Sequence, residues 1–171
     1  MVLTTTMKTA IHAIRWGLIF TAAALTWMIL EKAMGWHGEK IEQHPVMTNL
    51  FAVVAITVFV FALLDKRKQL GGSMTWTQGF VAGLWVSVVV AILSPLSQWV
   101  THALISPDYF ANAIAYAVEN EKATREEAER YFNLNSYIVQ SAIGALVMGA
   151  VTSAVVALFV KRKTVTTGSE S

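Results

Sequence analysis

Charge is missing from long stretches of this chain. Arg15 and Glu31 bracket 15 residues without Asp, Glu, Lys or Arg; Glu42 and Asp65 bracket 22, Lys68 and Asp108 bracket 39, and Arg130 and Lys161 bracket 30. A run of about 18 or more apolar residues is long enough to cross the hydrocarbon core of a bilayer. Over all 171 residues the chain is 55% hydrophobic and 14% charged, against about 25% charged in an ordinary soluble domain. The pattern predicts an all-α integral membrane protein and argues against a soluble enzyme. Helix is the required form because lipid offers no partner to an open strand's backbone.

Four spans follow, at about 14–34, 46–64, 75–104 and 137–160. They form a single membrane domain over 14–163, with a cytoplasmic segment at 1–13 and a disordered cytoplasmic tail at 164–171. The first span reads as a retained signal anchor, since no clean cleavage pattern follows Leu30. Met7 offers an alternative start, which would make residues 1–6 an extension. The third run is long for one helix, but dividing it at Pro95 would leave a short, polar second arm. It is therefore read as one helix kinked at Pro95. Thr75 and Gln78 have the spacing of a capping box at its start, after the turn residues Gly71 and Gly72.

Orientation follows from the basic residues. Lys8, Arg15, Lys66, Arg67, Lys68, Lys161, Arg162 and Lys163 fall on one side with only Asp65 and Glu170, whereas the opposite loops are acidic. The positive-inside rule places both termini in the cytoplasm. The pI near 9.0 comes from these clusters and marks no nucleic-acid face. Cysteine is absent, which excludes disulfides and thiolate chemistry.

The outer segment 106–135 is expected to hold two amphipathic helices. Ser106 and Pro107 read as N-cap and first helical residue. Tyr109, Phe110, Ala113, Ile114, Ala117 and Val118 make one apolar face, and Thr124 with Glu127 forms a second capping box.

Small residues recur every fourth position in two spans. Gly79, Gly83, Ser87 and Ala91 stripe the third, and Ser141, Ala145, Gly149, Ser153 and Ala157 stripe the fourth. Such faces let helices approach closely in lipid. They are expected to meet, within the chain or between copies of it. The parallel endings Phe61–Lys68 and Val156–Lys163 fit either duplicated two-helix halves or, the preferred reading, two helices meeting the same stop signal.

Little in the sequence speaks for chemistry, and no catalytic residue, cofactor or metal is assigned. Glu31 continues the inward stripe of span 1 about one turn from the outer surface; an acid at such depth marks a relay or an interfacial anchor. His37, Glu39, Glu42 and His44 crowd the first outer loop, where imidazoles and carboxylates suit a zinc-like ion, but their spacing matches no metal motif. Ser94, Gln98 and His102 share one face beyond Pro95, with Asp108 further on. Ser94 and His102 lie about 12 Å apart along a helix, too far to hydrogen-bond. Trp27, Trp36, Trp76 and Trp99 fit interfacial belts.

The basic cluster, then Gly-Gly-Ser-Met-Thr-Trp-Thr-Gln-Gly-Phe at 71–80, then Ser-Pro-Asp-Tyr-Phe at 106–110 and the terminal Lys-Arg-Lys form a familiar order. From about Ala13 to Lys163 the chain resembles an uncharacterised bacterial family catalogued as domain of unknown function 4199. The resemblance implies a four-helix protein of a bacterial cytoplasmic membrane, and it carries over no activity and no site residues.

The leading expectation is a non-enzymatic scaffold or accessory subunit of a membrane complex, packing through Gly79, Gly83, Ser87, Ala145, Gly149 and Ser153, with lipid and a second copy or another membrane protein as partners. The alternatives are a small carrier or channel using Glu31 and the Ser94/Gln98/His102 face, and an enzyme acting on lipid at the outer surface through His102 or the His37/His44 loop.

Overall fold

A computed structural model describes residues 2–162. The long helices are α1 (Val2–Ala33), α2 (Ile41–Gln69), α3 (Trp76–Ile105) and, after two short helices, α6 (Leu134–Val160). The short pair between α3 and α6 is α4 (Tyr109–Glu119) and α5 (Arg125–Tyr131). All four long helices are apolar and long enough to cross a membrane. Strands are absent among the described residues; Met74 and Arg162 alone make an isolated antiparallel bridge.

The bundle is apolar on its outside. Phe159, Ile92 and Val53 are 84%, 71% and 68% exposed. A surface of this kind is stable against lipid and not against water. Helix α1 extends back to Val2, well before the expected boundary at 14, because no Gly or Pro interrupts residues 2–13. Helix α2 reaches Gln69 and opens on irregular turns from Ile41, including an α-turn with Pro45 in its first positions. The expected tail at 164–171 lies outside the described residues.

Helix α3 runs unbroken through Pro95 and ends in a π-helical turn, Thr101–Ile105. Its N-terminus carries the Thr75–Gln78 capping box, with Gln78 N donating to Thr75 Oγ1 at 3.2 Å and Thr75 N to Gln78 Oε1 at 2.8 Å. The turn before it needs its glycines: Gly71 and Gly72 have φ of +81° and +91°. The Thr124–Glu127 capping box forms as well and opens α5. Ser106 departs from expectation. Asp108 takes the N-cap position of α4 with no side-chain cap bond, because the Ser106 hydroxyl is committed to His37, 3.0 Å away.

The small-residue stripes of α3 and α6 face each other inside one chain. A Cβ on Gly83 would stand 2.6 Å from the Cβ of Ser153, and one on Gly149 would stand 2.6 Å from the Cβ of Ser87. Gly79 meets Ala157 one turn further along. Ala145 is half-buried, a turn beyond Gly149. The hydroxyls of Ser87 and Ser153 donate to the carbonyls of Gly83 and Gly149 on their own helices, so no polar atom is stranded at the seam. Helix α1 joins through Gly17, where a Cβ would be 2.7 Å from the Cβ of Val89.

The basic end is tied by specific bonds. Asp65 accepts from Trp16 Nε1 at 2.9 Å and Gln69 Nε2 at 3.1 Å. Arg67 Nη1 donates to the Val160 carbonyl at 2.9 Å. Met74 and Arg162 exchange backbone bonds of 2.9 Å each.

The seam makes a reciprocal prediction. Gly83→Ala should destabilise the detergent-solubilised protein by about 1–3 kcal/mol, the usual range for overpacking. Adding Ser153→Gly, which removes the opposing Cβ and hydroxyl, should recover at least half of that loss in thermal unfolding. No recovery would mean that the two helices do not meet at this pair.

Candidate functional site

At the end opposite the basic clusters, a polar cluster is buried beneath α4 and α5. The last turn of α1 supplies Glu31, whose residue is fully buried. A tight reversal follows, in which Trp36 N donates to the Glu31 carbonyl at 3.0 Å and Gly35 takes a φ of +81°. The reversal folds His37 back over Glu31, and the start of α2 brings His44 to the same place. His37 Nε2 lies 3.0 Å and His44 Nε2 lies 3.4 Å from Glu31 Oε2. Trp27 Nε1 donates to Glu31 Oε1 at 2.6 Å, from one turn earlier on α1. Both carboxylate oxygens are thus engaged.

The far side of each imidazole also meets a polar group. His37 Nδ1 is 3.0 Å from Ser106 Oγ, and His44 Nδ1 is 3.5 Å from Tyr109 Oη. Tyr109 Oη is in turn 3.0 Å from Tyr137 Oη on α6. Asn112 Nδ2 donates to the His37 carbonyl at 2.8 Å, so α4 clamps the reversal from above. One consistent proton arrangement satisfies the set. Tyr137 donates to Tyr109, Tyr109 to His44 Nδ1 and Ser106 to His37 Nδ1, while both Nε2–H groups donate to Glu31.

Tyr109 is the meeting point. Its ring lies 5.1 Å from His37, 5.1 Å from His44 and 5.4 Å from His102, centroid to centroid. Three of the chain's four histidines therefore contact one tyrosine. His102 comes from the π-helical turn, a geometry that recurs at functional sites. It stacks on Phe110 at 4.0 Å, and its Nδ1 is buried with no hydrogen-bond partner among the described residues. Burial pushes the Tyr109 phenol up to about 12, with the Tyr137 hydrogen bond acting in the opposite sense.

The cluster is not sealed. A cavity of about 520 Å³ opens between the start of α2, α4 and α5, with His44 and Tyr109 in its wall beside Ile41, Tyr116, Lys122 and Phe132. Lys122 Nζ donates to Tyr116 Oη at 2.7 Å on the rim.

The candidates picked out in the sequence are distributed unevenly. Glu31, His37, His44 and His102 converge. Glu39 and Glu42, which share the loop with the two histidines, are exposed. Ser94 is buried but donates to its own helix at Val90 O, 3.2 Å away. Gln98 is half-buried, and Asp108 is exposed at the start of α4. Trp27, Ser106, Tyr109 and Tyr137 have places in the cluster that the sequence reading did not give them. Trp27, four residues before Glu31, is the one with a visible signal, since i and i+4 share a helix face.

Tyr109 predicts a pH dependence. A free tyrosine ionises near 10 and the buried one at about 12, so the neutral form is the one the fold favours. That stabilisation is complete below pH 10 and is lost as pH rises through 12. Between these limits the stability advantage of the native protein over Tyr109→Phe should shrink by about 2–3 kcal/mol. Parallel unfolding curves at pH 9 and pH 12 test this; an unchanged difference would place the Tyr109 hydroxyl in water.

Comparison with known proteins supplies a family without an activity. No curated protein and no solved structure matches the chain. The family described as protein of unknown function (DUF4199) matches residues 15–162, a stretch holding the α3–α6 seam and every residue of the cluster. The chain belongs to that family.

Proposed function

We propose that the protein is a non-enzymatic, membrane-anchored binding protein whose ligand site is the Glu31 cluster and the cavity beside it. One observation carries this reading: His37 and His44 converge on a buried carboxylate, and His44, with the Tyr109 that all three clustered histidines touch, lines an open cavity. Such an assembly is a poor way to stabilise a bundle. Buried charged and polar networks are on average no more stabilising than apolar residues of equal volume, and buried ionisable groups near a membrane mark function.

The scaffold reading built on small-residue faces loses its surface, since those of α3 and α6 are occupied by each other. A carrier needs a polar route through the bundle. The buried hydroxyls of Ser87, Ser94, Thr101 and Ser153 each donate to their own helix, which does not favour one. In our reading the basic end faces the cytoplasm of a bacterial cell, and the capped cluster faces outward from the cytoplasmic membrane.

Two measurements test the proposal. The chain has no cysteine, so single-cysteine variants report sidedness. Lys122→Cys should react with a membrane-impermeant maleimide in cells whose outer membrane has been made permeable, and Lys68→Cys only after lysis; the reverse pattern would invert the topology. Replacing the cluster by apolar residues (Glu31→Met, His37→Leu, His44→Leu together) should leave a folded protein melting at or above the native temperature. A melting point lowered by more than 10 °C, or failure to fold (about 3–5 kcal/mol is typical for breaking a structural buried pair), would make the cluster a brace and sink the binding-site reading.

A further inference from the structure

We propose that the cluster is a divalent transition-metal site of the zinc class, with Glu31 Oε2, His37 Nε2 and His44 Nε2 as ligands; this rests on the reading of the cluster as a binding site. The donor set is the first argument. Two imidazoles and one carboxylate are the ligands of open zinc sites, which keep a fourth position for water or substrate. The same set with vacant positions also suits Fe²⁺.

Geometry is the second. Tetrahedral ligands at about 2.0–2.1 Å from a metal stand about 3.3–3.4 Å from one another. Here the two carboxylate–imidazole edges are 3.0 Å and 3.4 Å, and all three ligand atoms lie within 4.8 Å of one another. The third edge, between the two imidazole nitrogens, is at most 4.8 Å and must close to the tetrahedral spacing when a metal binds. The ligands are held on separate pieces of backbone: a helix end, a glycine turn clamped by Asn112, and the short helical turn His44–Met47 with Pro45 in its first positions.

The third argument is the set of groups behind the ligands. A metal-bound imidazole donates its other N–H to a nearby acceptor, which sets its tautomer and orientation. Ser106 and Tyr109 stand at those atoms. Both are hydroxyls, and a hydroxyl can donate or accept. The same cluster is therefore satisfied in two states. Empty, each ring carries its proton on Nε2 toward Glu31. Loaded, each carries it on Nδ1, the Ser106 and Tyr109 bonds reverse, and Tyr109 donates to Tyr137. Each neutral ring keeps a single proton that changes nitrogen, and the Glu31 carboxylate offsets one of the metal's two positive charges, leaving the other for a ligand at the free position.

Access is the fourth. His44 and Tyr109 line the open cavity, which gives an ion a way in and gives its free position a place to take a second ligand.

The test uses the full-length chain without a histidine tag, purified in mild detergent and stripped with EDTA. Titration with Zn²⁺ should show one saturable site per chain, and Co²⁺ should give the strong visible absorption of a low-coordinate, nitrogen-bound ion. Glu31→Gln and His37→Ala should each weaken Zn²⁺ binding ~100-fold or more, and Ser106→Ala, which leaves all ligands in place, should weaken it ~10-fold. His44→Gln, at the partly open edge of the cluster, provides a ligand variant least prone to misfolding. No saturable Zn²⁺ or Co²⁺ binding by the native chain would overturn the inference, as would affinity unchanged in folded His44→Gln and Ser106→Ala. The apolar replacement described above is read by melting temperature and not by metal, so loss of the metal inference and loss of the binding-site reading give different results.

Discussion

Everything at the capped end depends on how closely α3 and α6 approach. Their glycines and serines interlock with almost no side-chain volume between the backbones. In lipid, where no hydrophobic force draws helices together, packing of this kind is what holds a bundle. It also acts as a jig. The two helices end on opposite sides of the cluster, with His102 on the last turn of α3 and Tyr137 on the first turn of α6. Their rings come within 5.5 Å of each other and close around Tyr109 and Phe110. A shift of one helix past the other would open that aromatic floor before it reached any ligand.

The cluster reverses the usual relation between depth and chemistry in a membrane protein. The middle of the bundle holds only hydroxyls bonded to their own helices, while the ionisable groups gather at the two ends. Asp65, with Trp16, His12 and Gln69, occupies the basic end. Glu31, with Trp27, His37 and His44, occupies the other. Each carboxylate is met by an indole N–H and by imidazole. Only the capped end has short helices folded over its carboxylate group and members of that group in a cavity wall; the cavity at the basic end is lined by Met74, Gln78 and Arg162 and by none of the Asp65 group.

Much of the fold was legible because the bilayer removes alternatives. Charge-free runs had to be helices, and Pro95 did not divide its run because a polar second arm had nowhere to go. Both capping boxes were readable, since each depends on residues three apart. The site was less legible for the opposite reason. Its members lie at 27, 31, 37, 44, 102, 106, 109 and 137, and apart from the i, i+4 pair Trp27–Glu31 no helical spacing brings the groups around the carboxylate together. The loop carrying His37 and His44 invited pairing with Glu39 and Glu42, but the glycine reversal turns those two outward and aims the histidines at Glu31. Ser106 shows the limit of a local rule. Ser-Pro before a helix reads as an N-cap, yet a serine has one hydroxyl, and a buried imidazole across the fold was the stronger claimant.

The Tyr109–Tyr137 contact has a consequence for how the protein is made. Glu31, His37 and His44 leave the ribosome early, within the first hairpin, but the groups that complete the far sides of the imidazoles come some seventy residues later. The hydroxyl behind Tyr109 belongs to the final long helix. The carboxylate and its two imidazoles lack part of their surroundings until the helix that carries Tyr137 seats against α3. The cluster thus draws a member from each of the four long helices, and it is whole only when all four are in place.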